Sequence, residues 1–151
     1  MDVADLITPD HVIVNLKATD KVRLLADLAR RAAPVTGLPQ QNIHEALAAR
    51  EALGSTGVGA GVAIPHACLA GLDSFFGLFA RLERRLDYDA VDDQPIDLIF
   101  LLLIPENVAT EHLHALACVS RRLRDPDVAA RLRKADDVAV LYSTLIGENS
   151  R

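Results

Sequence analysis

Residues 96–104 (IDLIFLLLI) fix the architecture of this chain. Apart from Asp97 the run is wholly apolar and does not alternate. A strand with one wet face alternates apolar and polar residues; a strand buried on both faces does not. The run therefore predicts a central strand whose sheet is covered by helices on both sides. Residues 11–16 (HVIVNL), 62–66 and 75–82 (FFGLFARL) read as further strands. Thr19 or Asp20 caps a helix whose apolar positions Val22, Leu25, Ala29 and Ala32 recur at helical spacing, and Pro34 stops it. Pro39 suits the first turn of a second helix, with Ile43, Leu47 and Arg50 near one face. Thr110 begins a long helix to Arg124, Pro126 opens a shorter one, and residues 136–146 form the last. The expectation is an α/β sandwich forming one domain over residues 1–151: a mixed β-sheet with helices on both faces.

Composition narrows the partners. A length of 151 residues, half of them hydrophobic, suffices for a real core. A net charge of −5 disfavours nucleic acid, and the 4% aromatic content without tryptophan disfavours base-stacking platforms. Cys68 and Cys118 make no disulfide framework, which fits a reducing cytoplasm. Residues 1–10 lack an apolar signal region and no stretch is long enough to span a membrane, so a cytoplasmic location is expected.

The chemistry concentrates around Gly54-Ser55-Thr56-Gly57-Val58-Gly59-Ala60-Gly61, which runs into Val62-Ala63-Ile64-Pro65-His66. Glycines allow close approach of another molecule and free backbone N–H groups to face an anion. A histidine beside them suggests phosphoryl chemistry with an imidazole nucleophile. The loop lacks the Lys-Ser/Thr pair of a Walker A motif. It also runs helix to strand, the reverse of a dinucleotide fingerprint. A flexible turn beside an incidental histidine is the plainer alternative. A second cluster, Glu111-His112-Leu113-His114, puts His112 in a helix first turn, where an anion is favoured; two solvated histidines would look the same. His112 and His114 stand at i, i+2 and cannot easily share one ion, which disfavours zinc. Arg50, just before the glycines, can pair with a phosphoryl group or simply cap its helix. Taken together, Arg50, Ser55, Thr56, His66 and His112 supply a cation, two hydroxyls, a nucleophile and a neutral donor.

Arg50-Glu51-x-x-Gly54-Ser55-Thr56-Gly57-Val58-Gly59-x-Gly61-Val62-Ala63-Ile64-Pro65-His66 resembles the active-site signature of enzyme IIA components of the bacterial phosphoenolpyruvate-dependent phosphotransferase system. The similar branch is the fructose/mannitol/nitrogen-regulatory one. Residues 89–98 (DAVDDQPIDL) and His112-Leu113-His114 with Leu116 extend the resemblance to about Leu6–Ile146, and the 92–95 stretch is most similar to stand-alone nitrogen-regulatory members. The resemblance implies that His66 accepts a phosphoryl group from a phosphocarrier protein. It implies that His112 hydrogen-bonds near the phosphorylated nitrogen, that Arg50 stands by the phosphoryl oxygens, and that Ser55 and Thr56 are the pocket hydroxyls. No metal and no organic cofactor is implied. The output would be a regulatory protein target, such as a potassium transporter or a sensor kinase. Two alternatives stay open: a sugar-specific enzyme IIA passing phosphate to a IIB domain, and a non-catalytic interaction module of the same fold. A Ser/His/Asp hydrolase lacks its G-x-S-x-G motif. One departure stands out. Ala67-Cys68 follows His66 where family members often carry Gly or Ala and a basic residue, so either the carrier contact is weaker or Arg81 or another cation compensates. Cys68 reads as a reactive thiol or, more plainly, a small strand-end filler.

Overall fold

The structure, a computed structural model, describes residues 1–147. Its strands are β1 (Val12–Leu16), β2 (Gly57–Gly59), β3 (Val62–Ala63), β4 (His66–Leu69), β5 (Phe76–Leu86) and β6 (Ile96–Pro105). Its helices are α1 (Lys21–Thr36), α2 (Gln40–Ala52), α3 (Ala109–Arg124), α4 (Pro126–Lys134) and α5 (Val138–Ile146). All of β6 is buried. It lies mid-sheet, antiparallel to β5 on one side and parallel to both β3 and β4 on the other. The sheet runs β1-β5-β6-β3-β2, with β1 parallel to β5, so it is mixed as expected.

The side chains of β6 divide between two cores. Ile99, Leu101 and Leu103 pack with Leu24 and Leu28 of α1 and with Ile43 and Leu47 of α2. Leu98, Phe100, Leu102 and Ile104 pack with Val119 and Leu123 of α3, Leu132 of α4, and Leu141 and Leu145 of α5. Helices therefore cover both faces, which is why the run shows no alternation. Among the described residues no helix is long and apolar enough to cross a membrane.

Several boundaries differ from expectation. Pro34 lies inside α1 rather than stopping it. Its missing N–H costs one bond, to the Arg30 carbonyl, but the helix runs on and ends at Gly37, whose φ of +76° permits the left-handed cap. Asp20, not Thr19, caps α1, accepting from Arg23 N–H at 2.8 Å. Val22 is 69% exposed, because the buried stripe centres on Leu28 and Val22 lies about 120° around the helix from it. Thr110 does not cap α3: Val108 precedes the helix with no side-chain cap, and Ala109 is its first residue. Asp137 caps α5, which starts at Val138.

The expected strand over residues 62–66 is two strands, β3 and β4, broken at Ile64-Pro65. Proline has no N–H to offer the ladder, and the break frees the Ile64 carbonyl for other use. The glycine run holds a strand of its own, β2, which turns into β3 through Ala60 and Gly61. Both turn residues have positive φ, +57° and +78°, as a two-residue hairpin turn of the primed kind requires. Asp92 accepts the Ala60 N–H at 3.0 Å, and Arg133 donates to the Ala60 carbonyl at 2.9 Å. A Cβ on Gly61 would meet Arg133 Nη2 at 2.5 Å and Asp97 Oδ1 at 3.0 Å. Gly61→Ala is therefore expected to cost about 1–3 kcal/mol through backbone strain and the displaced Arg133–Asp97 pair, read as a lowered denaturant midpoint.

Candidate functional site

His66 opens β4, immediately after the strand break. Its ring Nδ1 lies 2.9 Å from the freed Ile64 carbonyl. A carbonyl only accepts, so the proton sits on Nδ1 and the Nε2 lone pair stays available. Arg50, near the end of α2, donates its Nε–H to that Nε2 at 3.2 Å and its Nη1–H to the Gly54 carbonyl at 2.9 Å. The arrangement holds a neutral imidazole with one defined tautomer and a cation beside its reactive nitrogen.

The electrostatics favour the same state. Burial pushes the His66 pKa below the ordinary 6.5; the Ile64 carbonyl opposes that, the charges of Arg50 and His112 add to it, and Glu51 opposes it. A lowered pKa extends the neutral form to lower pH. The titration of His66 followed by NMR is expected to have its midpoint below 6.5. The Nε2 lone pair should therefore stay available as pH falls through 6.5 and be lost to protonation only further into acid.

Behind Arg50 lies a cluster that the sequence pattern left without a role. The Glu51 side chain is 7% exposed and pairs with Lys21 Nζ at 2.9 Å. It also accepts from the Thr56 N–H at 3.1 Å, from the Thr56 hydroxyl, and from the Tyr88 hydroxyl at 3.1 Å. Burial raises the Glu51 pKa, but the hydrogen bonds from Lys21 and Thr56 outweigh it and hold the carboxyl below its usual range. Burial and the Glu51 charge push the Tyr88 phenol up, which keeps it a neutral donor. A signal for Glu51 does exist in the sequence. An acid in the last turn of a helix sits at the wrong end of the dipole, so something else must hold it there.

The glycine run serves the hairpin and close packing more than an anion. The N–H of Thr56 goes to Glu51, that of Gly57 to Ser55 Oγ at 3.0 Å, and that of Ala60 to Asp92. Gly57 is required by the 87–95 segment: a Cβ there would stand 2.8 Å from Ala90 Cβ. The Ser55 hydroxyl donates to the Tyr88 carbonyl at 3.2 Å, and Thr56 is buried with its hydroxyl on Glu51. Both hydroxyls therefore have protein acceptors.

The ring of His112, on α3, stands 6.2 Å from that of His66, edge-on. Its Nδ1 is 3.7 Å from Cys68 Sγ. Burial, aided by Glu106, raises the pKa of the exposed Cys68, so this residue is a thiol and not a thiolate. His114 is exposed on another face of α3, and the three histidines do not converge. Among the described residues no group of three His, Cys, Asp or Glu is placed to hold a metal ion. Arg81 does not compensate for the absent basic residue after His66. It donates to the Leu132 carbonyl at 2.8 Å, at the C-terminus of α4.

Comparison with known proteins places these residues in context. The family described as "Phosphoenolpyruvate-dependent sugar phosphotransferase system, EIIA 2" matches residues 5–147. A "Nitrogen regulatory protein" of Bradyrhizobium diazoefficiens is 47% identical over 145 residues, covering 96% of this chain and 95% of the relative. A "PTS system fructose-specific EIIA component" of Haloferax volcanii is 35% identical over 151 residues, covering 96% and 97%. The crystal structure of nitrogen regulatory protein IIA-Ntr from Neisseria meningitidis superposes with a TM-score of 0.90 at 31% identity, covering 95% of this chain and 98% of that one.

Proposed function

This chain belongs to the phosphotransferase system EIIA 2 family, and on that premise we propose that it accepts a phosphoryl group on His66 Nε2 from a phosphohistidine carrier protein and signals through its phosphorylation state. The observation that carries the reading is the His66 imidazole itself. Its Nδ1–H is engaged by Ile64, and its Nε2 lone pair faces a guanidinium. In the transfer, a bond forms between phosphorus and His66 Nε2 as the bond between phosphorus and the carrier's imidazole nitrogen breaks. The proton stays on Nδ1, hydrogen-bonded to the Ile64 carbonyl. Exchange of one nitrogen for another is near isoenergetic, so positioning sets the rate. Arg50 turns its N–H groups from the lone pair to the arriving phosphoryl oxygens. Thr56, buried with its hydroxyl on Glu51, supports the loop from behind, and Ser55 must leave the Tyr88 carbonyl to reach a phosphoryl oxygen.

His112 supports the reaction without carrying the phosphate: its ring stands 6.2 Å from that of His66, within reach of a phosphoryl oxygen to which a ring N–H can donate. His112→Ala is expected still to be labelled at His66 but about 100-fold more slowly, less where water takes the place of the lost donor. His114→Ala should match the wild-type rate, since its side chain faces solvent. Rapid-quench rates decide this, and the reverse ranking would remove α3 from the site.

The nitrogen-regulatory names of these relatives support a regulatory protein as the reader of this state; the partner class proposed with it, a potassium transporter or a sensor kinase, rests on the resemblance of residues 89–98 alone. The fructose-specific relative supports a second reading, in which phospho-His66 passes its group to a IIB domain. The test combines phosphoenolpyruvate, enzyme I and carrier with this protein, and then adds a IIB domain. Retention of label on this chain supports the regulatory reading; rapid loss to IIB supports the sugar-specific one. No label from any carrier would defeat both.

A further inference from the structure

Glu51 stands where a helix disfavours an acid, yet it draws donors from three other parts of the molecule. Lys21 reaches it from the first turn of α1, Thr56 from the glycine run, and Tyr88 from the segment between β5 and β6. Lys21 also lies 4.3 Å over the Tyr88 ring, so the outer members of the cluster brace each other. Thr56 binds the carboxylate twice, through its N–H and its hydroxyl. That closes residues 51–56 into a tied loop. Gly54, the residue whose carbonyl takes the Arg50 Nη1–H, lies within it. Arg50 precedes Glu51 on the same turn. The guanidinium on His66 is thus held by a chain of contacts that ends on one buried carboxylate.

We propose that Glu51 is a positioning residue for phosphoryl transfer: by tying the loop that carries the Gly54 carbonyl, it holds the Arg50 guanidinium against His66 Nε2. The proposal rests on the phosphoryl-transfer reading of His66. An arginine side chain left free on a helix end samples many rotamers, and a displacement of the order of an ångström at a transferring group is costly in rate. A carboxylate with four donors has little freedom to move, and two of those donors come from the loop itself.

The test is a double-mutant cycle on single-turnover phosphorylation from the carrier. Glu51→Gln is close to isosteric and is expected to slow transfer about 10-fold. In an Arg50→Ala background the same substitution should change the rate less than about twofold, because its effect runs through Arg50. Additive losses would overturn the proposal, since a general weakening of the fold acts whether or not Arg50 is present. Tyr88→Phe removes one donor and leaves the carboxylate in place. It should show a smaller loss with the same disappearance in the Arg50→Ala background, and it carries the cycle should Glu51→Gln fail to fold. A second measurement does not depend on transfer. The Arg50 Nε–H resonance should be shifted and slow to exchange in the wild type and should move to the free-arginine position in Glu51→Gln. An unchanged resonance refutes the positioning role even if no carrier labels the protein, whereas absent labelling with the shifted resonance refutes only the transfer reading.

Discussion

His66→Ala is expected to take up no phosphate from phosphoenolpyruvate, enzyme I and carrier, where the wild-type chain takes up one acid-labile, base-stable group. The expectation follows from how singular the nitrogen is. His66 Nδ1 is fixed on a backbone carbonyl at 2.9 Å, which cannot turn away as a mobile side chain can. That contact sets the tautomer and aims Nε2 at the Arg50 guanidinium at 3.2 Å. His112, the nearest other imidazole, has its Nδ1 against an exposed thiol, and no hydrogen bond to it from an arginine is seen among the described residues. It therefore lacks both the fixed tautomer and the cation. The substitution leaves the core intact, because the His66 ring is only half-buried and its strand is held by the ladder from His66↔Leu102 to Leu69↔Pro105. Labelling of His66→Ala equal to wild type would sink the assignment. Loss of labelling with an unchanged unfolding midpoint is the supporting result.

What could be read from the sequence depended on whether one segment or two decide the feature. Residues 96–104 carry the doubly buried strand within one segment, because a run apolar everywhere but at Asp97 leaves neither face for water. The proximity of Arg50 and His66 was legible from one long motif, and that of His112 from a separate short cluster read through the resemblance. Pro65 was visible, but its effect was not: the split into β3 and β4 depends on both halves pairing with β6, which is a matter of register between distant strands. The glycines were legible as a loop and misleading as an anion cradle. Gly57 is needed because Ala90 packs on it, and the Ala60 amide belongs to Asp92, and neither partner is local. Arg81 reads as a free cation on a strand until α4 is seen to end on it. Two arginines of α3 and α4 are likewise structural: Arg122 donates to the Thr144 carbonyl at the end of α5, and Arg133 donates to Asp97. Glu51 offered the one local anomaly that could have been used, an acid against the helix dipole.

Arg50→Ala is expected to slow phosphorylation of His66 by on the order of 10- to 1,000-fold without unfolding the protein. The guanidinium does two things here. Its Nε–H occupies the Nε2 lone pair before reaction, which orients the imidazole. Its N–H groups are then the cationic donors closest to the oxygens of a group arriving at that nitrogen. The first effect is a ground-state contact that must be broken, so it cannot accelerate transfer. The second grows as phosphoryl charge develops beside the pocket, and it sets the size of the loss. Arg50→Lys separates charge from geometry. A lysine restores a point charge but not the fork that spans Gly54 and His66 together, so its rate should fall between wild type and alanine. Stability should change little, because Arg50 is half-exposed and the burial of α2 rests on Ile43 and Leu47. Single-turnover rates for the three proteins, with denaturation curves alongside, separate the cases. An unchanged rate in Arg50→Ala would reduce Arg50 to an ordinary cation at a helix C-terminus. A rate in Arg50→Lys as low as in alanine would assign its whole contribution to the two-point geometry that Glu51 and the glycine run maintain.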